Sequence, residues 1–291
     1  MLEILVALPE WARIALAGVF GLLVGSFLNV IILRLPVRME WAWRREAREL
    51  LELEAEAQAA PPGIVFEPSH CPHCQRRLAA WENIPLVSYL LLRGRCRSCK
   101  APISKQYPLV EALTALAFIA AFWRFGLTPA TLAAFAFSAA LIVLAVIDLR
   151  TMYLPDSITL PLLWLGLLLG VWGVFVGADA AIVGAAAGYL SLWSVYWLFK
   201  LTTGKEGMGY GDFKLLAAIG AWGGAKAILP TILLSSVVGA IIGSAILLAQ
   251  GRDRATPIPF GPYLAIAGWI QFIWADELGA FWMRLTGLPL V

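Results

Sequence analysis

Two aspartates and four cysteines are the residues of this 291-residue chain whose placement could do chemistry. Asp148 closes the apolar run 130–147, and Asp212 ends Gly209-Tyr210-Gly211-Asp212 where the chain enters another apolar run. A carboxylate is costly to hold at a hydrocarbon boundary, so two of them mark a functional site. Two aspartates within hydrogen-bond distance cannot both ionise cheaply. The ionised one can then activate a water against a peptide carbonyl, while the protonated one polarises its oxygen and feeds the leaving amine. Gly209 and Gly211 suit such a loop, because residues without Cβ let an extended substrate backbone approach. Structural roles compete: a first-turn acid favoured by the helix dipole for Asp212, a partner of Arg150 for Asp148. Asp156, after Pro155, reads as an N-cap, and Glu111, one turn after Pro108, as a dipole-complementing residue.

The cysteines stand as Cys71-Pro-His-Cys74 and Cys96-Arg-Ser-Cys99, with 21 residues between the pairs. Two such knuckles offer four thiolates to one tetrahedral Zn²⁺, whereas disulfides would conflict with a reducing cytoplasm. Four sulfurs close the shell, so the metal is expected to be structural. His70 and His73 are then solvent-facing neighbours rather than ligands. They are also the only histidines, and no His-Glu-x-x-His exists, which excludes a histidine-based metalloprotease and disfavours a serine-histidine hydrolase. No lysine falls inside an apolar core, so a Ser/Lys dyad lacks its base. Carboxylates remain.

The elements that must position these groups are membrane helices. Hydrophobic residues make up 60% of the chain and charged ones 14%, with a mean hydropathy of +0.79; soluble domains carry about 25% charged residues. The net charge of +3 is too small to argue for nucleic acid. Apolar runs near 12–33, 108–125, 130–147, 158–176 and 180–199 each approach the roughly 20 residues a span needs. The run 213–249 is too long for one helix, and Gly220, Gly223, Gly224 and Pro230 supply a break. With a last run near 260–275, an all-α polytopic membrane protein of about eight spans is expected. The acidic start, with Glu3 and Glu10, argues against a cleavable signal, so the first run should stay in the membrane.

With the N-terminus outside, eighteen Lys/Arg fall on the inner side and four outside, a strong positive-inside bias. Two spans separate Asp148 from Asp212, and an even number returns the chain to one face. Both aspartates are therefore expected at the cytoplasmic boundary. The division expected is a first span over 1–35, a cytoplasmic domain over 36–107 and a seven-helix membrane domain over 108–291. Within 40–60, Glu40/Arg44, Arg45/Glu49 and Arg48/Glu52 at i,i+4 predict a surface helix ended by Pro61-Pro62-Gly63. Gly166/Gly170, Gly184/Gly188 and Gly239/Gly243, each four apart, read as helix-packing positions.

Several segments together resemble the bifunctional type IV prepilin peptidases. They are Gly25-Ser-Phe-Leu-Asn-Val-Ile-Ile-Leu-Arg-Leu-Pro36, the two cysteine pairs, Tyr107-Pro-Leu-Val-Glu111, Ile147-Asp-Leu-Arg-Thr-Met-Tyr-Leu-Pro-Asp156 and Gly207-Met-Gly-Tyr-Gly-Asp-Phe-Lys214. The resemblance implies an inner-membrane aspartic endopeptidase with Asp148 and Asp212 as its catalytic pair. Its substrates would be prepilins or pseudopilins of pilus or type II secretion systems, cut on the cytoplasmic side after a glycine that ends a basic leader. It also implies N-methylation of the new terminus by S-adenosylmethionine, and Gly94 matches a position associated with methylation. The charged insert 38–66 matches no motif. A peptidase without methyl transfer is the nearest alternative. An ion-coupled transporter would account for the aspartates but not for the cysteine pairs or the Gly-x-Gly-Asp loop.

Overall fold

The computed structural model describes residues 2–53, 59–250 and 258–287, which are almost wholly helical. After a short α1 (Leu2–Ala7), α2 runs 41 residues, Glu10–Leu50. At 1.5 Å per residue it is about 60 Å long, twice the roughly 30 Å of a hydrocarbon core. The first span and the charged helix are thus one helix, continuous through Pro36, where a boundary was expected. Strong helix formers beyond the proline, joined by Glu40–Arg44 and Arg45–Glu49 ion pairs, carry it on. It ends at Leu50, well before Pro61. Leu53 N–H returns to the Arg48 carbonyl and Glu52 N–H to that of Glu49, with Glu52 at φ +52°. That is a Schellman closure without its usual glycine. Residues 54–58 of the helix expected over 40–60 lie outside the described residues.

The chain forms two compact units, residues 1–139 and 140–291. In the first, α3 (Val87–Leu91) precedes α4 (Gln106–Phe125). A Cβ on Gly21 would stand 2.7 Å from the Ala115 Cα and one on Gly25 2.8 Å from the Glu111 Cα, so α2 and α4 touch backbone to backbone. Asn29, buried between them, donates to the carbonyls of Gly25 and Tyr107. The start of α5 (Pro129–Thr151) adds Phe135, stacked on Phe118 at 4.1 Å.

The second unit holds the rest of α5, then α6 (Asp156–Val171), α7 (Ala178–Thr203), α8 (Tyr210–Gly223), α9 (Ile228–Gln250), α10 (Gly261–Ile273) and α11 (Ala275–Thr286). From Phe213 to Trp222 nearly every residue of α8 is buried, as expected for a helix apolar all round. Its neighbours reach it through glycines. A Cβ on Gly184 would meet the Gly220 carbonyl oxygen at 2.2 Å and one on Gly188 that of Leu216 at 2.5 Å. Gly166 makes room for the Trp222 indole, whose N–H donates to the Leu162 carbonyl. Gly170 faces Ala181, and Gly239 the Tyr263 ring. The expected break falls at Gly224, φ +73°.

Each of the eight expected apolar segments holds a helix, although α6 stops at Val171, short of the expected 176. Five helices are long and apolar enough to cross a membrane, those over 10–50, 106–125, 129–151, 178–203 and 225–245; α6 and α10 are shorter apolar helices.

Candidate metal centre and carboxylate site

The cysteine pairs form two knuckles of the same design, 25 residues apart. Cys71 N–H donates to the Arg76 carbonyl and Cys96 N–H to that of Ala101; Gln75 and Lys100, one residue past each pair, sit at φ +57° and +59°. The bridges His70/Arg77 and Arg95/Pro102 close the two stems. These turns aim four sulfurs at one point, all within 4.8 Å of one another. Cys71 and Cys99 sulfurs are 3.8 Å apart, matching the edge of about 3.8 Å in a tetrahedron with ~2.3 Å Zn–S bonds. Backbone N–H groups of Cys99 and Ser98 pull the Cys96 thiol down to about 6, whereas burial and the neighbouring thiols push Cys99 up to about 11, so the crowded sulfurs do not all ionise alike before a metal binds. His70 and His73 are exposed and stand apart from this cluster. Between the knuckles, Arg76 hydrogen-bonds the buried Glu82 and holds its carboxyl below the usual range. Replacing Cys71 or Cys96 by serine is expected to lower zinc affinity by more than the roughly 10- to 100-fold that loss of an outer contact costs. Metal content and limited proteolysis of 61–105 check this.

Gly94 closes the second stem. Its φ is +66°, its carbonyl accepts from Ile103 N–H, and a Cβ there would meet the Tyr89 hydroxyl at 3.0 Å. This glycine is required by the ribbon's own geometry. Glu111 is no first-turn acid either: it sits in the second turn of α4, buried, accepting Leu86 N–H at 2.8 Å.

In the second unit, Asp148 and Asp212 are 5% and 8% exposed and close enough for the charge of one to act on the other. Asp148 lies one turn from the end of α5 and turns inward, its Oδ2 accepting Gly261 N–H at 3.0 Å. Asp212 lies in the first turn of α8, where Gly209, not the aspartate, is the N-cap. A buried carboxylate pair, one member held by a helix-terminal N–H, can carry the acid–base chemistry expected of it.

The two loop glycines divide. Nothing lies within 4 Å of a Cβ on Gly209, whereas one on Gly211 would meet the Leu154 Cβ at 2.9 Å. Gly209 thus leaves open room; Gly211 lets α8 close on the α5–α6 connection. Asp156 is not the N-cap, which is Pro155; its two carboxylate oxygens grip the Lys214 ammonium at 2.7–2.8 Å, locking the starts of α6 and α8 together. Tyr196, tilted against the Tyr210 ring and edge-on to that of Phe213, packs the end of α7 against the start of α8.

Gly261 escaped the sequence reading, although Gly-Pro at the head of an apolar run was its available signal. A Cβ there would stand 2.7 Å from Asp148 Oδ2. Since the obstacle is a side chain, Gly261→Ala is expected to fold with its carboxylate displaced. A misplacement of about 1 Å can cost on the order of 100-fold; cleavage rate, set against an unchanged melting temperature, measures it.

A model of the bacterial peptidase A24 N-terminal domain matches residues 19–125, and that of the type IV leader peptidase family matches 135–244. Proteins named prepilin leader peptidase/N-methyltransferase are similar along almost the whole chain. That of Xanthomonas campestris pv. campestris is 59% identical over 94% of this chain and 95% of its own. That of Pseudomonas aeruginosa is 54% identical over 92% of each. That of Aeromonas hydrophila is 51% identical over 97% and 98%. No solved structure matches the chain.

Proposed function

We propose, because this chain belongs to the type IV leader peptidase family, that Asp148 and Asp212 are the pair with which it cuts prepilins. Leader removal and N-methylation are the function of this chain; the residues that perform each step are the proposal. The observation that carries it is the burial of two interacting carboxylates at the ends of α5 and α8. One carboxylate takes a proton from the attacking water, and the other hydrogen-bonds the scissile carbonyl and then protonates the leaving amine. Gly261 N–H fixes the orientation of Asp148, and the open side of Gly209 leaves room for an extended substrate backbone. Substrates are prepilins or pseudopilins, cut after the glycine of a basic leader. The site faces the cytoplasm with the N-terminus outside, as the charge bias supports.

S-adenosylmethionine supplies the methyl group. Gly94 is a candidate for its site by resemblance alone, and because its φ is +66° and Tyr89 fills the space a Cβ would take, a substitution there would also disturb the ribbon. Cys71, Cys74, Cys96 and Cys99 would hold a zinc ion that shapes that ribbon, and four thiolates would leave it no open position for chemistry. Incubating purified enzyme with prepilin and S-adenosylmethionine, followed by intact mass, tests the whole reading. The expected product lacks its leader and is heavier by one methyl; an unmethylated product would leave a peptidase alone.

A further inference from the structure

The cysteine ribbon is tied to the level at which the chain enters the membrane. Leu86, at φ +59°, begins α3 and donates its N–H to Glu111 in the second turn of α4. That helix is a candidate span, and it already turns Leu109, Leu113 and Leu116 outward. Outward leucines on a span face lipid, so the hydrocarbon begins within the first turn of α4. A glutamate side chain leans toward its helix N-terminus, which sets Leu86 at that same boundary.

From there α3 exposes Leu90 and Leu91, at 72% and 70%, with Ile84 and Val87 beside them. The helix then stops at once. Arg93 N–H returns to Leu90 and Gly94 N–H to Tyr89, and the chain continues through Arg93, Arg95, Arg97, Lys100 and Lys105, all exposed. From 81 to 105 the only acid is Glu82, which pairs with Arg76. Four thiolates around a divalent ion would add a net charge of about −2, still short of these five cations. Arg97 lies over the exposed Trp81 ring at 5.4 Å, an arrangement at home at the headgroup level.

An apolar tip ringed by cations is the pattern of interfacial insertion, and such cations attract anionic headgroups. We propose that α3 inserts Leu90 and Leu91 among the acyl chains of anionic lipids while Arg93, Arg95 and their neighbours hold the headgroups, seating the metal ribbon on the bilayer. This requires α4 to be a span and is independent of the peptidase reading.

The test places p-benzoylphenylalanine at position 90, and in a second preparation at 91, of the full chain in liposomes of phosphatidylcholine with or without phosphatidylglycerol. After irradiation, intact mass should show lipid adducts, about threefold or more abundant with the anionic lipid. The same label at Glu49, near the end of α2, should give few. Adducts at 90 and 91 no more frequent than at 49 would overturn insertion, and equal yields in the two lipids would overturn headgroup recognition. A co-reconstituted prepilin that captured the label in place of lipid would assign the face to a substrate helix and overturn the proposal as well.

Discussion

Asparagine at Asp148 or at Asp212 is expected to lower prepilin cleavage by a factor on the order of 10³ to 10⁴, the full worth of a positioned acid or base. The exchange keeps the side chain's size, and an asparagine oxygen at 148 can still accept Gly261 N–H, so helix content, membrane insertion and bound zinc should hold. Because the carboxylates act as one unit, the double variant should be little worse than either single one. Methylation of a pre-cleaved substrate should continue in all three if the two sites are separate. Cleavage at the wild-type rate by either single variant would sink the pair.

The second large effect falls on the fold. Gly184 and Gly220 each bring a hydrogen where a Cβ would stand 2.1–2.2 Å from the other's backbone carbonyl oxygen. No side chain can rotate out of the way. Gly184→Ala must therefore separate α7 from α8 by an ångström or so, at about 3 kcal/mol or more, and α8 carries Asp212. The expected result is a melting temperature in detergent lower by roughly 5 °C or more, together with loss of cleavage. Gly209→Ala is the contrast, since a Cβ there meets nothing within 4 Å. It should melt like the wild type, so any loss of cleavage at 209 would report on substrate approach. Unchanged melting of the Gly184 variant would refute the backbone contact.

Much of this was legible because it is written locally. Apolar length marked the eight apolar helices, five of them long enough to cross a membrane, Cys-x-x-Cys spacing gave both knuckles, and glycines four apart marked where helices close. What was missed depends on distant partners. Asp156 looked like a cap because Lys214, 58 residues on, leaves no trace near it. Asp148 and Gly261 are 113 residues apart. Gly211 seemed to invite substrate until Leu154 filled its space. Pro36 looked like a boundary, yet the helix formers after it outweigh one lost hydrogen bond. The stop at Leu50 was hidden because Glu52 occupies the left-handed position where glycine would have announced it.

Beside the long α5, which carries Asp148, three short helices surround the carboxylates. With 16, 14 and 13 residues, α6, α8 and α10 reach about 24, 21 and 20 Å, against roughly 30 Å of hydrocarbon. Longer helices such as α7 can tilt to fit; these cannot stretch. For α6 and α10 to cross a bilayer, it would have to thin where it meets them, which is the response to negative hydrophobic mismatch. Acyl-chain length would then bear on catalysis: a thick membrane would load the helices that hold Asp212, Gly261 and the Asp156–Lys214 lock in register.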